Sequence, residues 1–268
     1  MNKNLIKLNC FNLVKTNLMI RVGRCIYDKK GKRTDPSYDG FTPIIVLMKS
    51  HSPYGVLGPY VLKDEKDRIM ESIWQFSKVY QEVPATTQRY SRYDQTIIWS
   101  HPKEKHVDNA GNILPAYWTW REKGMNNKYY VRYPVGFHNM SKCIFAIKES
   151  DIGPNKEVTR KLDYIEGRKE IYGPVYCELV KKEPMFDQLK KRLESGENLL
   201  IIEVDGPHQE SLHYYIEKYH VDEDFIQDST MLVTDENLAI MLHDPKHPFG
   251  HGYCLAMALT DNEWLMEL

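Results

Sequence analysis

Three groups of residues have the types and spacing to do chemistry. In Met70-Glu71-Ser72-Ile73-Trp74-Gln75-Phe76-Ser77-Lys78, helical spacing puts Glu71, Gln75 and Lys78 at i, i+4 and i+7. A carboxylate, an amide and an ammonium then share one stripe beside Trp74. A carboxylate next to an indole face can bind or protonate a ring held by stacking. The same spacing also serves a solvated face with an ordinary Glu-to-Lys pair. The second group is Ile201-Ile202-Glu203-Val204-Asp205-Gly206-Pro207-His208, an apolar run that closes on two carboxylates before a Gly-Pro turn. Strand ends opening into loops are common site positions, because the rigid element holds the side chains while the loop admits ligand. Asp205 would equally start a turn on its own account.

The third group is His243, His247 and His251, which recur every four residues as metal ligands on a helix would. Pro245 and Pro248 break such a helix, so no metal and no cofactor is expected. Phe249-Gly250-His251-Gly252 reads instead as a Gly-lined bend at a helix start, where backbone N–H groups can approach an anion. Between the groups, residues 85–148 interleave basic and aromatic side chains: Arg89-Tyr90-Ser91-Arg92-Tyr93, Tyr117-Trp118-Thr119-Trp120-Arg121 and Lys128-Tyr129-Tyr130-Val131-Arg132-Tyr133. That composition stacks bases and neutralises phosphates. It is also the composition of an aromatic packing segment with snorkelling arginines.

Local patterns predict the elements that hold these residues. Ile44-Ile45-Val46-Leu47-Met48, after Gly40-Phe41-Thr42-Pro43, reads as the first buried strand. Ser52-Pro53-Tyr54-Gly55 reads as a turn and Tyr60-Val61-Leu62 as a short strand. Apolar residues at Ile69, Met70, Ile73, Phe76 and Tyr80 predict a helix over 66–80 that Pro84 ends. Residues 85–148 read as irregular, with a loop at 108–112. Leu162, Ile165, Tyr172, Tyr176, Leu179 and Val180 trace a helix kinked at Pro174. Pro184 begins another helix, and Ser195-Gly196 stops it. Leu199 to Ile202 is a buried strand, followed by helices at 212–219, from a Thr234 cap through Met241, and at 253–259. The expected class is α+β, a single domain over 1–268 with mostly helices around a few short strands.

Charge first argues against an anionic partner, since 36 Lys+Arg stand against 37 Asp+Glu for a net −1. The total hides a polarity. Residues 1–84 carry 14 basic and 8 acidic side chains, residues 85–148 carry 10 and 4, and residues 149–268 carry 12 and 25. The front of the molecule is therefore suited to an anion and the rear is rich in carboxylates, unless the two halves simply pack as complementary surfaces. Five cysteines (Cys10, Cys25, Cys143, Cys177, Cys254) show no C-x-x-C spacing, so neither a zinc cage nor a disulfide framework is written and a reducing, cytoplasmic setting is expected. The first 20 residues carry Lys3, Lys7 and Lys15 without an apolar run of signal-peptide length. No stretch approaches the ~18 apolar residues of a membrane span, and no membrane partner is expected.

Taken in order, these pieces resemble the NADAR family, YbiA-like domains that act on ADP-ribose-related and riboflavin-pathway N-glycosides. Ser52-Pro53-Tyr54-Gly55-Val56-Leu57-Gly58-Pro59-Tyr60 is similar to the family's opening aromatic-Gly stretch, and residues 70–80 resemble its helix motif. The run from Asp163 through Arg168, Pro184, Leu189 and Leu193 to Glu203 resembles its later block. Phe249-Gly250-His251-Gly252 stands where the family usually has Trp-Gly-x-Gly. The resemblance covers 50–80 and 163–258, with 85–160 and 205–243 as insertions.

The resemblance implies cleavage of an N-glycosidic bond between a ribose and a base or amine. That reaction develops oxocarbenium charge and needs a nearby carboxylate and a donor for the leaving group. It implies Glu71 as the carboxylate, Lys78 and Gln75 as orienting groups, and Glu203 and Asp205 as a second carboxylate site. Trp74 would pack the nucleoside, and Gly250-His251-Gly252 would approach a phosphate, with Tyr54, Gly55, Arg168 and Phe249 as further binding residues. The basic aromatic insertion would present a larger substrate, such as ADP-ribosylated nucleic acid, in place of a small nucleotide. The alternatives are a non-catalytic nucleotide or nucleic-acid binding module and a nucleic-acid base-modification enzyme.

Overall fold

The computed structural model describes residues 19–47, 52–131 and 142–268. Met48, Arg132, Tyr133, Cys10 and the three lysines at 3, 7 and 15 lie outside the described residues. At the centre is a four-stranded mixed sheet in the order Thr230–Leu232, Ile20–Arg24, Leu199–Glu203, Thr42–Ile45. The last three strands run parallel, with Ile20 opposite Leu199 and Leu199 opposite Thr42, and the Thr230–Leu232 edge is antiparallel. Every residue of Leu199–Glu203 is buried, as a parallel strand covered on both faces requires, which is why it reads as an unbroken apolar run. The class is α+β.

Two strands differ from the sequence pattern. The sheet begins at Ile20–Arg24, a segment with an arginine at its second and last positions that no apolar run announces. Arg21 is buried there because its Nε donates to Thr230 Oγ1 at 2.7 Å and its guanidinium lies 3.7 Å over the Tyr38 ring. The strand expected over 44–48 runs from Thr42 to Ile45, and Pro43 is tolerated because this strand is a sheet edge. The His251–Leu259 helix, buried at all nine positions, packs against the two central strands.

The helix expected over 66–80 spans only Met70–Ser77. Before it, the Asp64 carboxylate accepts the amides of Lys66 and Arg68 and closes a turn. After it, Lys78–Tyr80 extends to pair with Cys143–Ala146, so Tyr80 belongs to a strand rather than to the helix period. Tyr60-Val61-Leu62 is a turn closed by amides of 61 and 62 on the Gly58 carbonyl, not a strand. Ser52 caps a short 3-10 helix, Pro53–Leu57, by accepting the Tyr54 amide.

Helical structure over 164–180 begins at an Asp163/Glu166 capping box and passes through a π-helical turn at Arg168–Tyr172 into Gly173–Val180. Pro174 has no N–H to give the carbonyl one turn back, and the chain answers by widening that turn where a kink was expected.

The described residues of 85–148 are not irregular throughout. They hold a hairpin of Thr86–Arg89 with Ile97–His101 and the Pro115–Met125 helix, closed over a second apolar cluster with Phe76, Val79, Trp99, Tyr117 and Trp120. The helices meet so closely that a Cβ on Gly124 would fall 2.0 Å from the Phe76 ring. Much of the aromatic content of this segment is core. Residues 205–243 are likewise built into the fold, because they supply the Thr230–Leu232 edge strand.

Candidate active site

A cavity of about 780 Å³ opens at the carboxyl ends of the parallel strands, the usual place for a ligand in a sheet of this kind. Arg24 reaches it from one strand end and Val204 and Asp205 from the next. The Met70–Ser77 helix supplies one wall with Glu71, Trp74 and Gln75, and Lys78 follows at the helix end. The π-helical stretch supplies Arg168 and Tyr172, with Tyr164 before them.

The predicted stripe is formed. Gln75 Nε2 donates to Glu71 Oε1 at 2.9 Å and Lys78 Nζ donates to Gln75 Oε1 at 3.0 Å, so the amide is held in one orientation between a carboxylate and an ammonium. Lys78 Nζ also lies 4.4 Å over the Trp74 ring. Burial lowers the Lys78 pKa to about 8, against the opposing fields of Cys143 and Glu71. Trp74 stands 5.4 Å from Tyr172 and 5.9 Å from Tyr164 between ring centres, which makes an aromatic wall beside the Glu71 carboxylate.

Glu203 and Asp205 part company. Asp205 is exposed and lines the cavity, whereas Glu203 is wholly buried behind it. Glu203 Oε1 accepts the Gly252 amide at 2.8 Å, and Oε2 lies 3.2 Å from His251 Nδ1. Burial and the nearby Asp205 drive the Glu203 pKa well above the carboxylate range, against the pull of the amides of Gly252, Tyr253 and His251. His251 Nε2 donates to the Val46 carbonyl at 2.6 Å. In a neutral ring Nδ1 is then an acceptor, which suits a protonated Glu203. The Gly-lined bend therefore receives the protein's own Glu203 carboxyl. A Cβ on Gly250 would stand 2.1 Å from Glu203 Oε2, and one on Gly252 2.6 Å from Oε1.

The remaining expectations divide. Phe249 lines the cavity and stacks on Tyr253 with centroids 5.0 Å apart, and His251 lines it as well. Arg168 lines it but spends its guanidinium on main chain, with Nη1 donating to the Asp244 carbonyl at 2.7 Å and Nη2 to the His247 carbonyl at 2.5 Å. It fixes the segment that carries Pro248 and Phe249. Tyr54 and Gly55 do not reach the cavity: Tyr54 bonds Arg192 and Gly55 lies inside the 3-10 turn. Pro59 and Tyr60 reach it in their place.

Sequence reasoning missed Tyr164, Tyr172, His208 and the hairpin base Thr86, Thr87 and Gln88, all of which line the cavity. The signal for His208 was its place three residues after Asp205. Its Nδ1 lies 3.0 Å from Glu210 Oε1, which also accepts Arg24 Nη1 at 2.7 Å. Burial and then Arg24 lower the His208 pKa, with Glu210 opposing. The three histidines do not converge: His243 Nδ1 meets the Ala239 carbonyl, His247 pairs with Asp244, and His251 faces Glu203. Among the described residues no three His, Cys, Asp or Glu side chains form a metal cage, and no helix is long and apolar enough to cross a membrane. The chain matches no family model, no curated protein and no solved structure.

Proposed function

We propose that the protein is an N-glycosidase, a YbiA-like hydrolase of the NADAR type, that cleaves a ribose–base or ribose–amine bond in an ADP-ribose-related substrate. The observation that carries this reading is the Glu71–Gln75–Lys78 chain beside the Trp74, Tyr164 and Tyr172 wall. Glu71 stabilises the oxocarbenium ion or activates the attacking water, and Gln75 sets its rotamer. Lys78, poised at about 8, holds and gives a proton to the departing base near neutral pH. Asp205 is the second carboxylate, and the aromatic wall holds the base. Glu203 supports the wall from behind.

A volume of about 780 Å³ suits a nucleotide-sized ligand. The hairpin supports a substrate borne on nucleic acid, because its base lines the cavity while Arg89, Tyr90, Arg92 and Tyr93 are exposed towards its tip. The described cysteines are free thiols, which is compatible with a reducing, cytoplasmic setting.

The test incubates the purified protein with ADP-ribose, ADP-ribosylated guanine in DNA, and pyrimidine ribosyl phosphates, with Glu71→Gln as control. Release of base or ribose that Glu71→Gln abolishes is the expected result. Release untouched by the substitution removes the role given to Glu71. Binding without release from any substrate favours a non-catalytic module.

A further inference from the structure

Outside the cavity, one cluster has the arrangement of an activated nucleophile. Ser211 stands at the N-terminus of the Leu212–Tyr219 helix, where a serine ordinarily accepts a first-turn amide, yet its side chain makes no such cap. Its Oγ lies instead 2.9 Å from His247 Nε2, and His247 Nδ1 lies 2.5 Å from Asp244 Oδ2. Asp244 is fully buried and accepts the hydroxyls of Tyr214 at 2.6 Å and Tyr215 at 2.9 Å. Burial opposes its ionisation, but the bonds from His247, Tyr214, the Lys246 amide and Tyr215 hold its pKa well below the usual range. An ionised carboxylate only accepts, so the imidazole proton sits on Nδ1 and the Nε2 lone pair faces the Ser211 hydroxyl. Arg168 donates to the carbonyls of both Asp244 and His247, which fixes the main chain that carries both side chains.

We propose that Ser211 is a nucleophile for acyl transfer, with His247 as its general base and Asp244 as the positioning residue, and that its substrate class is small carboxylic esters. Ser211 Oγ attacks the carbonyl carbon while its proton passes to His247 Nε2. The bond from that carbon to the leaving oxygen then breaks, and the alcohol departs with the proton returned by His247. Water repeats the sequence on the acyl-serine and regenerates the hydroxyl, so no oxidant, reductant or metal is needed. Ser211 is partly exposed while Asp244 and His247 are buried, so the nucleophile is reachable and its supports are dry.

The experiment treats the full-length protein with a fluorophosphonate probe and with p-nitrophenyl acetate, and maps any adduct by peptide mass spectrometry. The expected result is one adduct on Ser211 that Ser211→Ala and prior urea unfolding both remove. His247→Gln slows labelling by on the order of 100-fold or more, and Glu71→Gln leaves it unchanged. Ser211→Ala alters a partly exposed cap and leaves the buried pair in place, so it decides the matter even if His247→Gln fails to fold. No adduct on the folded protein, an adduct elsewhere, or labelling equal in the wild type and Ser211→Ala overturns the proposal.

Discussion

The carboxyl of Glu203 and the amide of Gly252, 49 positions apart in the chain, meet at 2.8 Å beneath the cavity wall. The contact ties the end of the central strand to the start of the all-buried His251–Leu259 helix. It also explains two glycines at once, because side chains at 250 and 252 would occupy the space of the carboxyl. Glu203 is thus a support for Phe249 and His251, and its neighbour Asp205 lines the cavity.

Gly250→Ala should therefore destabilise the fold by about 3 kcal/mol through overpacking against the carboxyl. Denaturant unfolding reads this as a lower midpoint at unchanged slope. Glu203→Gln, nearly isosteric and still able to accept the Gly252 amide, should keep the fold and most of the turnover. A 100-fold loss of turnover with intact folding would return Glu203 to the reacting groups.

Glu203 also makes stability fall as pH rises. Its folded pKa is raised above the ordinary 4.5, so the folded state holds the proton more tightly. Its contribution is complete below 4.5 and is lost as pH climbs through the raised value. Stability measured from pH 4.5 upward in the wild type and in Glu203→Gln should differ by this decline, which the amide lacks. Parallel curves would show that Glu203 titrates normally.

Lys78 has the opposite signature. Its pKa falls from 10.5 to about 8 on folding, because burial penalises the ammonium. Between these values the unfolded chain binds more protons, so stability rises with pH across that window by about 3 kcal/mol. Lys78→Met should abolish the rise and, at neutral pH, leave a protein at least as stable as the parent but inactive. A neutral-pH loss of stability in Lys78→Met would mean that the Gln75 and Trp74 contacts outweigh desolvation.

These relationships differ in how far a linear reading reaches them. Spacing put Glu71, Gln75 and Lys78 on one stripe, and Lys78, one residue past the helix end, does reach Gln75, but spacing alone did not separate this buried chain from a solvated Glu-to-Lys face. The Glu203–Gly252 contact was not legible, since nothing local joins a strand end to a distant glycine. The Ile20–Arg24 strand escaped notice because Arg21, a charged residue, is buried by Thr230 and Tyr38 from elsewhere in the chain. In 85–148 composition could not separate Trp99 and Trp120, which are core, from Tyr90 and Tyr93, which are exposed. Only the pairing of the hairpin and the packing of the Pro115–Met125 helix decide which aromatics face inward.

The carboxylate role is tested most directly at its neighbour. Gln75→Leu removes the bridge while leaving both charged partners, so Glu71 loses the donor that sets its rotamer. Turnover should fall by on the order of 10- to 100-fold, less than the 10²- to 10⁴-fold expected for Glu71→Gln. The loss should lie in kcat, because the aromatic wall proposed to hold the base is untouched. An effect confined to KM would make Gln75 a binding group.

The hairpin makes a prediction about salt. Arg89 and Arg92 are exposed near its tip, and Arg92 lies 4.6 Å over the Tyr93 ring, a pairing able to neutralise phosphate and stack a base together. If a single-stranded substrate crosses this tip, each lost phosphate contact lowers the magnitude of the log–log salt slope by ~0.7. Arg89→Ala with Arg92→Ala should therefore flatten that slope by about 1.4 and weaken binding of an ADP-ribosylated oligonucleotide. Hydrolysis of free ADP-ribose should stay at the parent rate, because neither arginine lines the cavity. An unchanged slope would place the nucleic acid elsewhere and leave Thr86, Thr87 and Gln88 as contacts to a small nucleotide alone.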